Sequence, residues 1–215
     1  RGQVRGFVRT NFYKRLSSCG HSFILSIKRH IARNDLFLYA LNSGRPVPTG
    51  TIVDAMFMQT DSDEDFDSEI GSEQTTFDQY EALVKRDPSS VTWVRPDLFS
   101  GELARALAHD TAILTELLES FGEWTAASDS KLQALIELVT KRHSKDKLLI
   151  FTEYADTAIY LKDELARAGV SDVDVATGDT DDPTKLAHRF SPISNAALDG
   201  DHVDRQVREP LRVLV

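Results

Sequence analysis

Lys147-Leu148-Leu149-Ile150-Phe151-Thr152-Glu153-Tyr154 decides how this chain is read. Four apolar residues in a row predict a strand buried on both faces, as in a parallel sheet. The run breaks at Thr152, and a helical pattern over 155–168 follows, closed by Gly169. Ligand sites in open α/β sheets lie at the C-terminal ends of such strands, where the chain turns into the helix. Further on, Val173 and Val175 alternate with Asp172 and Asp174, which predicts a strand with one wet face. Thr177-Gly178 turns the chain. Asp182-Pro183 opens a short helix with Leu186 and Phe190 as its buried pair, and Ser191-Pro192 stops it. A polar stretch over 194–209 leads to a last strand, Leu211-Arg212-Val213-Leu214-Val215. This order is that of a parallel sheet joined by right-handed crossovers. The last strand is expected to be unfinished, exposed and prone to pair with another chain.

Upstream the pattern is helical. Residues 5–43 carry one apolar stripe, Phe23, Ile24, Ile27 and Ile31, with Arg29 and Arg33 on the far side. Asn42-Ser43-Gly44, then Pro46 and Pro48, end that element. Residues 45–72 read as a linker; six of the nine residues Asp61–Glu69 are acidic, a run that repels itself. Its glycine and glutamate spacing does not suit a calcium loop. A short helix is predicted over 76–86, then a loop between Pro88 and Pro96 that holds Trp93. A long helix from an N-cap at Ser100 to Phe121 carries Leu103, Leu107, Leu114, Leu117 and Phe121 on one stripe. Ser130-Lys131-Leu132-Gln133 reads as a capping box for the next helix, which ends in Lys141, Arg142 and His143, where positive charge suits the helix dipole.

The chain has 215 residues, 41% of them apolar, enough for one ordinary domain or two small ones. Residue 1 is Arg, so the natural start is expected upstream. No apolar run approaches the roughly 20 residues of a membrane span, and no signal peptide is visible. Cys19 is the one cysteine, so no internal disulfide forms; a cytoplasmic setting and a structural rather than reactive thiol are expected. The net charge of -9 is uneven: residues 1–45 carry nine cations against Asp35 alone, +8 in all, which leaves -17 for the remainder. The basic segment suits phosphates, a solvated helix face or an acidic partner surface.

None of the eleven glycines precedes a lysine, so the phosphate loop of a nucleotide hydrolase is missing. Asp163-Glu164-Leu165-Ala166 imitates an acidic magnesium box but falls inside a helix. The six histidines are scattered, and Cys19 with His21 has no second pair, which argues against a metal site. No serine sits in a nucleophile-elbow pattern. Asp179, Asp181 and Asp182 form a carboxylate cluster that N-capping largely explains. What remains is a binding surface: Thr152, Glu153 and Tyr154 end one strand, and Thr177, Gly178 and Asp179 the next. Hydroxyls and backbone N–H groups at such turns are sequence-blind phosphate ligands, and they are also ordinary turn residues.

Four segments carry a resemblance. Asp129-Ser130-Lys131-Leu132-Gln133-Ala134-Leu135 resembles the helix leading into the second lobe of Swi/Snf-like ATPases, and Leu148–Thr157 resembles their motif IV. Thr177-Gly178-Asp179-Thr180 with Arg189-Phe190-Ser191-Pro192 resembles the following segment in a bacterial branch with RapA-like and phospholipase-D-associated helicases. Asn11-Phe12-Tyr13-Lys14-Arg15-Leu16-Ser17-Ser18 resembles the helix after the first lobe in that branch. Residues 45–125 resemble nothing in it. The resemblance implies an α/β fold with a large helical part: a helical bridging segment (1–44), an acidic insert (45–98), a second helical segment (99–145) and a truncated, RecA-like, three-layer parallel lobe (146–215). It implies a piece of an ATP-dependent DNA helicase or translocase. The intact parent would bind ATP and magnesium, and its first RecA-like lobe and duplex DNA would be partners. Lys14, Arg15, Thr152, Glu153, Tyr154, Thr177, Gly178 and Asp179 would contact the DNA, and no catalytic residue would lie in this chain. The alternative is a non-catalytic protein-interaction module with an acidic recruiting loop.

Overall fold

The computed structural model describes residues 2–50, 76–85, 91–122, 124–196 and 210–215. The acidic run 61–69, Pro88 and most of the polar stretch before the last strand lie outside the described residues. Among the described residues helix dominates, with one antiparallel strand pair and one three-stranded parallel sheet. The chain divides into two compact units, residues 1–22 with 124–215, and residues 23–123. The division does not follow the four sequence segments: the N-terminal helix groups with the C-terminal α/β part, and the segment 99–145 is cut after residue 123.

In the first unit, α1 (Gly2–Ser18) breaks at Cys19 before α2 (Gly20–Asn42) begins. α5 (Ser130–Glu137) continues into a π turn, Leu138–Arg142. The sheet consists of β3 (Leu148–Leu149), β4 (Val173–Asp174) and β5 (Val213–Leu214). Its order is β3-β5-β4, all parallel, with Leu148 opposite Val213 and Val173 opposite the same residue on the other side. α6 (Ala155–Arg167) follows β3; α7 (Pro183–Phe190) and α8 (Pro192–Ala196) follow β4. Side chains alternate along β5. Val213 and Val215 pack with Val139 of the π turn and with Ala158 and Leu165 of α6. Leu214 packs with Leu186 of α7 and Leu211. Helices therefore cover both faces of the middle strand, the arrangement that lets a parallel sheet bury its backbone.

The doubly buried strand is thus β5 and not β3. Leu149 is 49% and Phe151 86% exposed: among the described residues β3 is an edge strand, paired on one side only. The final strand, expected to be exposed, is instead paired on both sides. The helix cap also differs from the expected capping box. Asp129 caps α5, accepting the Leu132 N–H at 3.0 Å, and Ser130 is the first helical residue. The turn Ala126–Ser128 has its own capping box, from Thr125 to Ser128, so Asp129 closes one turn and opens the next. Asp182 caps α7 as expected, its Oδ1 accepting the Lys185 N–H at 2.8 Å.

In the second unit, the chain leaves α2 through Gly44, whose φ of 63° suits glycine. It enters β1 (Val47–Thr49), which pairs antiparallel with β2 (Thr92–Val94). The start of the expected linker is therefore a strand, with Val47 and Pro48 buried, and Trp93 sits in β2 opposite Pro48. α3 (Thr76–Lys85) adds Tyr80 and Leu83 to a core with Leu36, Ala40, Val47 and Val91. The Tyr80 hydroxyl donates to the Pro46 carbonyl at 2.8 Å. α4 (Gly101–Phe121) is as long as its stripe predicts, yet none of its residues is fully buried. Arg29, expected on the solvent side of α2, is 3% exposed. Ile27 and Asn34, seven residues apart, are buried on one side of α2, and Arg29, Leu36 and Ala40 on the opposite side, so the helix is covered on both.

Candidate nucleic-acid interface

The sheet presents its strand ends in one direction. The turn Phe151–Tyr154 leaves β3 after the Ile150 N–H bonds the Leu214 carbonyl at 2.8 Å. The turn Thr177–Thr180 leaves β4 after the Ala176 N–H bonds the Val215 carbonyl at 2.9 Å. Both turns therefore stand at the C-terminal edge, on either side of β5.

Five of the expected DNA contacts converge at the first turn. Lys14 reaches Glu153 at 3.3 Å, with both side chains more than half exposed. Arg15 donates to Asp156 Oδ2 at 3.1 Å, with both side chains less than a tenth exposed. The guanidinium carbon of Arg15 lies 4.6 Å from the centre of the Tyr154 ring, a cation–π distance. Ser18 Oγ lies 3.5 Å from Thr152 Oγ1 and 3.3 Å from Thr157 Oγ1. Ser22 Oγ bonds the same Thr157 hydroxyl at 2.7 Å. The Lys131 ammonium donates to the carbonyls of Ser17 and Ser18 at 2.9 and 3.0 Å, which satisfies the end of α1. Lys14 is thus displayed and offset by Glu153. Arg15 is spent on Asp156 and holds α1 to the first turn of α6.

The remaining three, Thr177, Gly178 and Asp179, form a separate turn. The Thr177 N–H bonds Thr180 Oγ1 at 2.8 Å and the Thr180 N–H returns to the Thr177 carbonyl at 3.2 Å, leaving Gly178 and Asp179 exposed. Sequence reasoning missed Asp156, Thr157 and Ser22, which build the joint. It also missed Phe151 as a surface residue. Asp156 offered no signal beyond an acid in the first turn of a helix, where acids are common.

Beside the first turn runs a groove of about 910 Å³, mostly apolar, between Leu16, Leu132, Leu135, Leu138 and Phe151, with Lys14 and Lys131 also on its wall. Trp124 and Gly20 also line it, and the Trp124 ring packs directly on Gly20, where a Cβ would meet it. Behind it, the Tyr160 hydroxyl donates to Asp129 Oδ2 at 3.2 Å, and the His21 ring stacks on Tyr160 at 4.5 Å. Burial, followed by the Asp129 carboxylate, pushes the Tyr160 phenol well above its ordinary value. Burial also raises the Cys19 thiol, which packs with Leu132 and Tyr160; this is the structural cysteine the sequence suggested. Among the described residues, no group of His, Cys, Asp and Glu is placed to hold a metal ion, and no helix is long and apolar enough to cross a membrane.

Fold and surface define a largely helical α/β protein with a polar, hydroxyl-rich joint at the C-terminal edge of a short parallel sheet. No known protein family, no curated protein and no solved structure matches the chain.

Proposed function

We propose that this chain is the coupling part of a Swi/Snf-like, ATP-dependent DNA translocase. It would supply backbone contacts to duplex DNA and a stiff joint between lobes, and would not hydrolyse ATP itself. One observation carries the reading. The Lys14–Ser18 segment and the Thr152–Thr157 turn resemble that family separately, and they lie 139 residues apart. They are nonetheless bound together by the Lys14–Glu153, Arg15–Asp156 and Ser18–Thr157 contacts. A chance likeness of two segments gives no reason for them to meet. In this reading Lys14 and the turn residues Thr152, Glu153 and Tyr154 face the DNA backbone together with Thr177, Gly178 and Asp179, and Arg15 is the pin that transmits the motion of α1 to the sheet. With no glycine followed by lysine, these residues do not suit an ATP phosphate site, so ATP and magnesium belong to other parts of the parent.

The test is ATP turnover by the longer parent, with and without duplex DNA, beside this chain alone. DNA-stimulated turnover by the parent and none by the chain is expected. Turnover by the chain, or a parent indifferent to DNA, overturns the proposal. The interaction-module reading is favoured by a different observation: the large apolar side chains of Phe77, Val84, Leu98, Ile113 and Phe121 in the second unit are each exposed. Parent inactivity combined with loss of partner binding on mutating those side chains would favour it.

A further inference from the structure

Residues 141–147 read Lys-Arg-His-Ser-Lys-Asp-Lys and join the π turn to β3. They lie at the N-terminal edge of the sheet, opposite the turns described above. Their backbone is held in place. The His143 N–H closes the π turn on the Leu138 carbonyl at 2.9 Å, and the Asp146 N–H bonds the His143 carbonyl at 3.3 Å. Arg212 Nη1 donates to the carbonyls of Val139 and His143 at 3.3 and 3.1 Å, while its Nε bonds Asp172 at 3.1 Å. A cation at a helix end ordinarily serves those last carbonyls. Here Arg212 already does so. The one acid in the stretch, Asp146, is engaged by His143 at 2.8 Å. Lys147 is anchored on the Phe190 carbonyl and ring. Lys141, Arg142 and Lys145 are exposed and make no ion pair among the described residues. Like charges so close together oppose folding slightly, so packing gives no reason for the cluster.

We propose that Lys141, Arg142 and Lys145 form a phosphate-backbone contact for nucleic acid, on the edge of the sheet opposite the joint. Every other side chain from 141 to 147 is polar. A protein partner requires an apolar centre and disfavours lysine, whereas a phosphodiester backbone requires only cations on a fixed base. The contact stands whether or not the chain belongs to a motor.

The experiment is fluorescence anisotropy of a labelled duplex titrated with the chain from 50 to 200 mM KCl. Three phosphate contacts contribute about 2.7 to the slope of log affinity against log salt, roughly a 40-fold loss over that range. The combined variant Lys141→Gln, Arg142→Gln, Lys145→Gln should lose that part of the slope, with its circular dichroism and melting unchanged. Lys14→Gln, at the other edge, should remove about 0.9 at most. If the triple variant is unstable, Lys145→Gln alone should lower the slope by about 0.9. No binding at 50 mM, or an unchanged slope in the variants, overturns the proposal. So does polyglutamate of equal charge displacing the duplex as well as unlabelled DNA does, which would assign the patch to an acidic protein. Loss of ATP turnover in the parent leaves this result untouched, so the two proposals fail separately.

Discussion

Arg15→Met should be among the most damaging single changes in the first unit. The Arg15–Asp156 pair is 3.1 Å apart with side chains 9% and 5% exposed. At the effective dielectric that suits protein sites, their mutual attraction is about 5 kcal/mol. Both charges gave up water to meet, so the net worth of the pair is far smaller. Removing one partner takes the ion pair from a charge that stays buried, which costs up to about 3–5 kcal/mol. Arg15→Met and Asp156→Leu should each fall in that range, and the double variant should recover most of the loss. The assay is urea unfolding followed by Trp124 fluorescence in a Trp93→Phe background, which isolates the unit containing the pair. A loss below about 1 kcal/mol for either single variant, or a double variant as damaged as the two singles added, would show that the joint does not depend on this pair.

Two further outcomes follow from the groove. Gly20→Ala places a methyl against the Trp124 ring, so the ring must move; a loss of about 1–3 kcal/mol and a shifted Trp124 emission are expected, and neither if the packing is loose. The Tyr160 phenol is raised from its ordinary value of 10.0, chiefly by burial and then by Asp129. The folded chain therefore holds that proton more tightly than the unfolded chain. This part of the stability is intact below pH 10 and is lost above it, at about 1.4 kcal/mol per pH unit until the folded group ionises. Tyr160→Phe should lower stability at neutral pH and flatten the alkaline decline; an equally steep decline in the variant would refute the assignment.

Local grammar accounts for most of what was legible. The helix periods around Leu103–Phe121 and Leu132–Val139, the glycine after Phe121 and the Asp182-Pro183 start all depend on neighbours within a turn or two, and the structure has them in place. What was misread depends on the far side of the chain. Four apolar residues specify a hydrophobic strand but not its rank in the sheet, and rank decided that β5, not β3, is enclosed. The strand β1 was hidden because Val47-Pro48-Thr49 has almost no pattern of its own; its partner lies at Thr92–Val94.

The joint was illegible for a related reason. Asp156 in the first turn of α6 and Arg15 in the last turn of α1 each have a complete local explanation, since acids suit helix N-termini and bases suit C-termini. A reader of either helix alone has no residual to explain. Only the fold brings them together, and beside them the hydroxyls of Ser18 and Ser22 meet that of Thr157. Hydroxyls of this kind hold two elements in one register without the apolar area that would have announced the contact in the sequence. A joint built this way is stiff in geometry and modest in energy. Under the proposed function, that combination suits a part that must pass a movement from one helix to a DNA-facing turn.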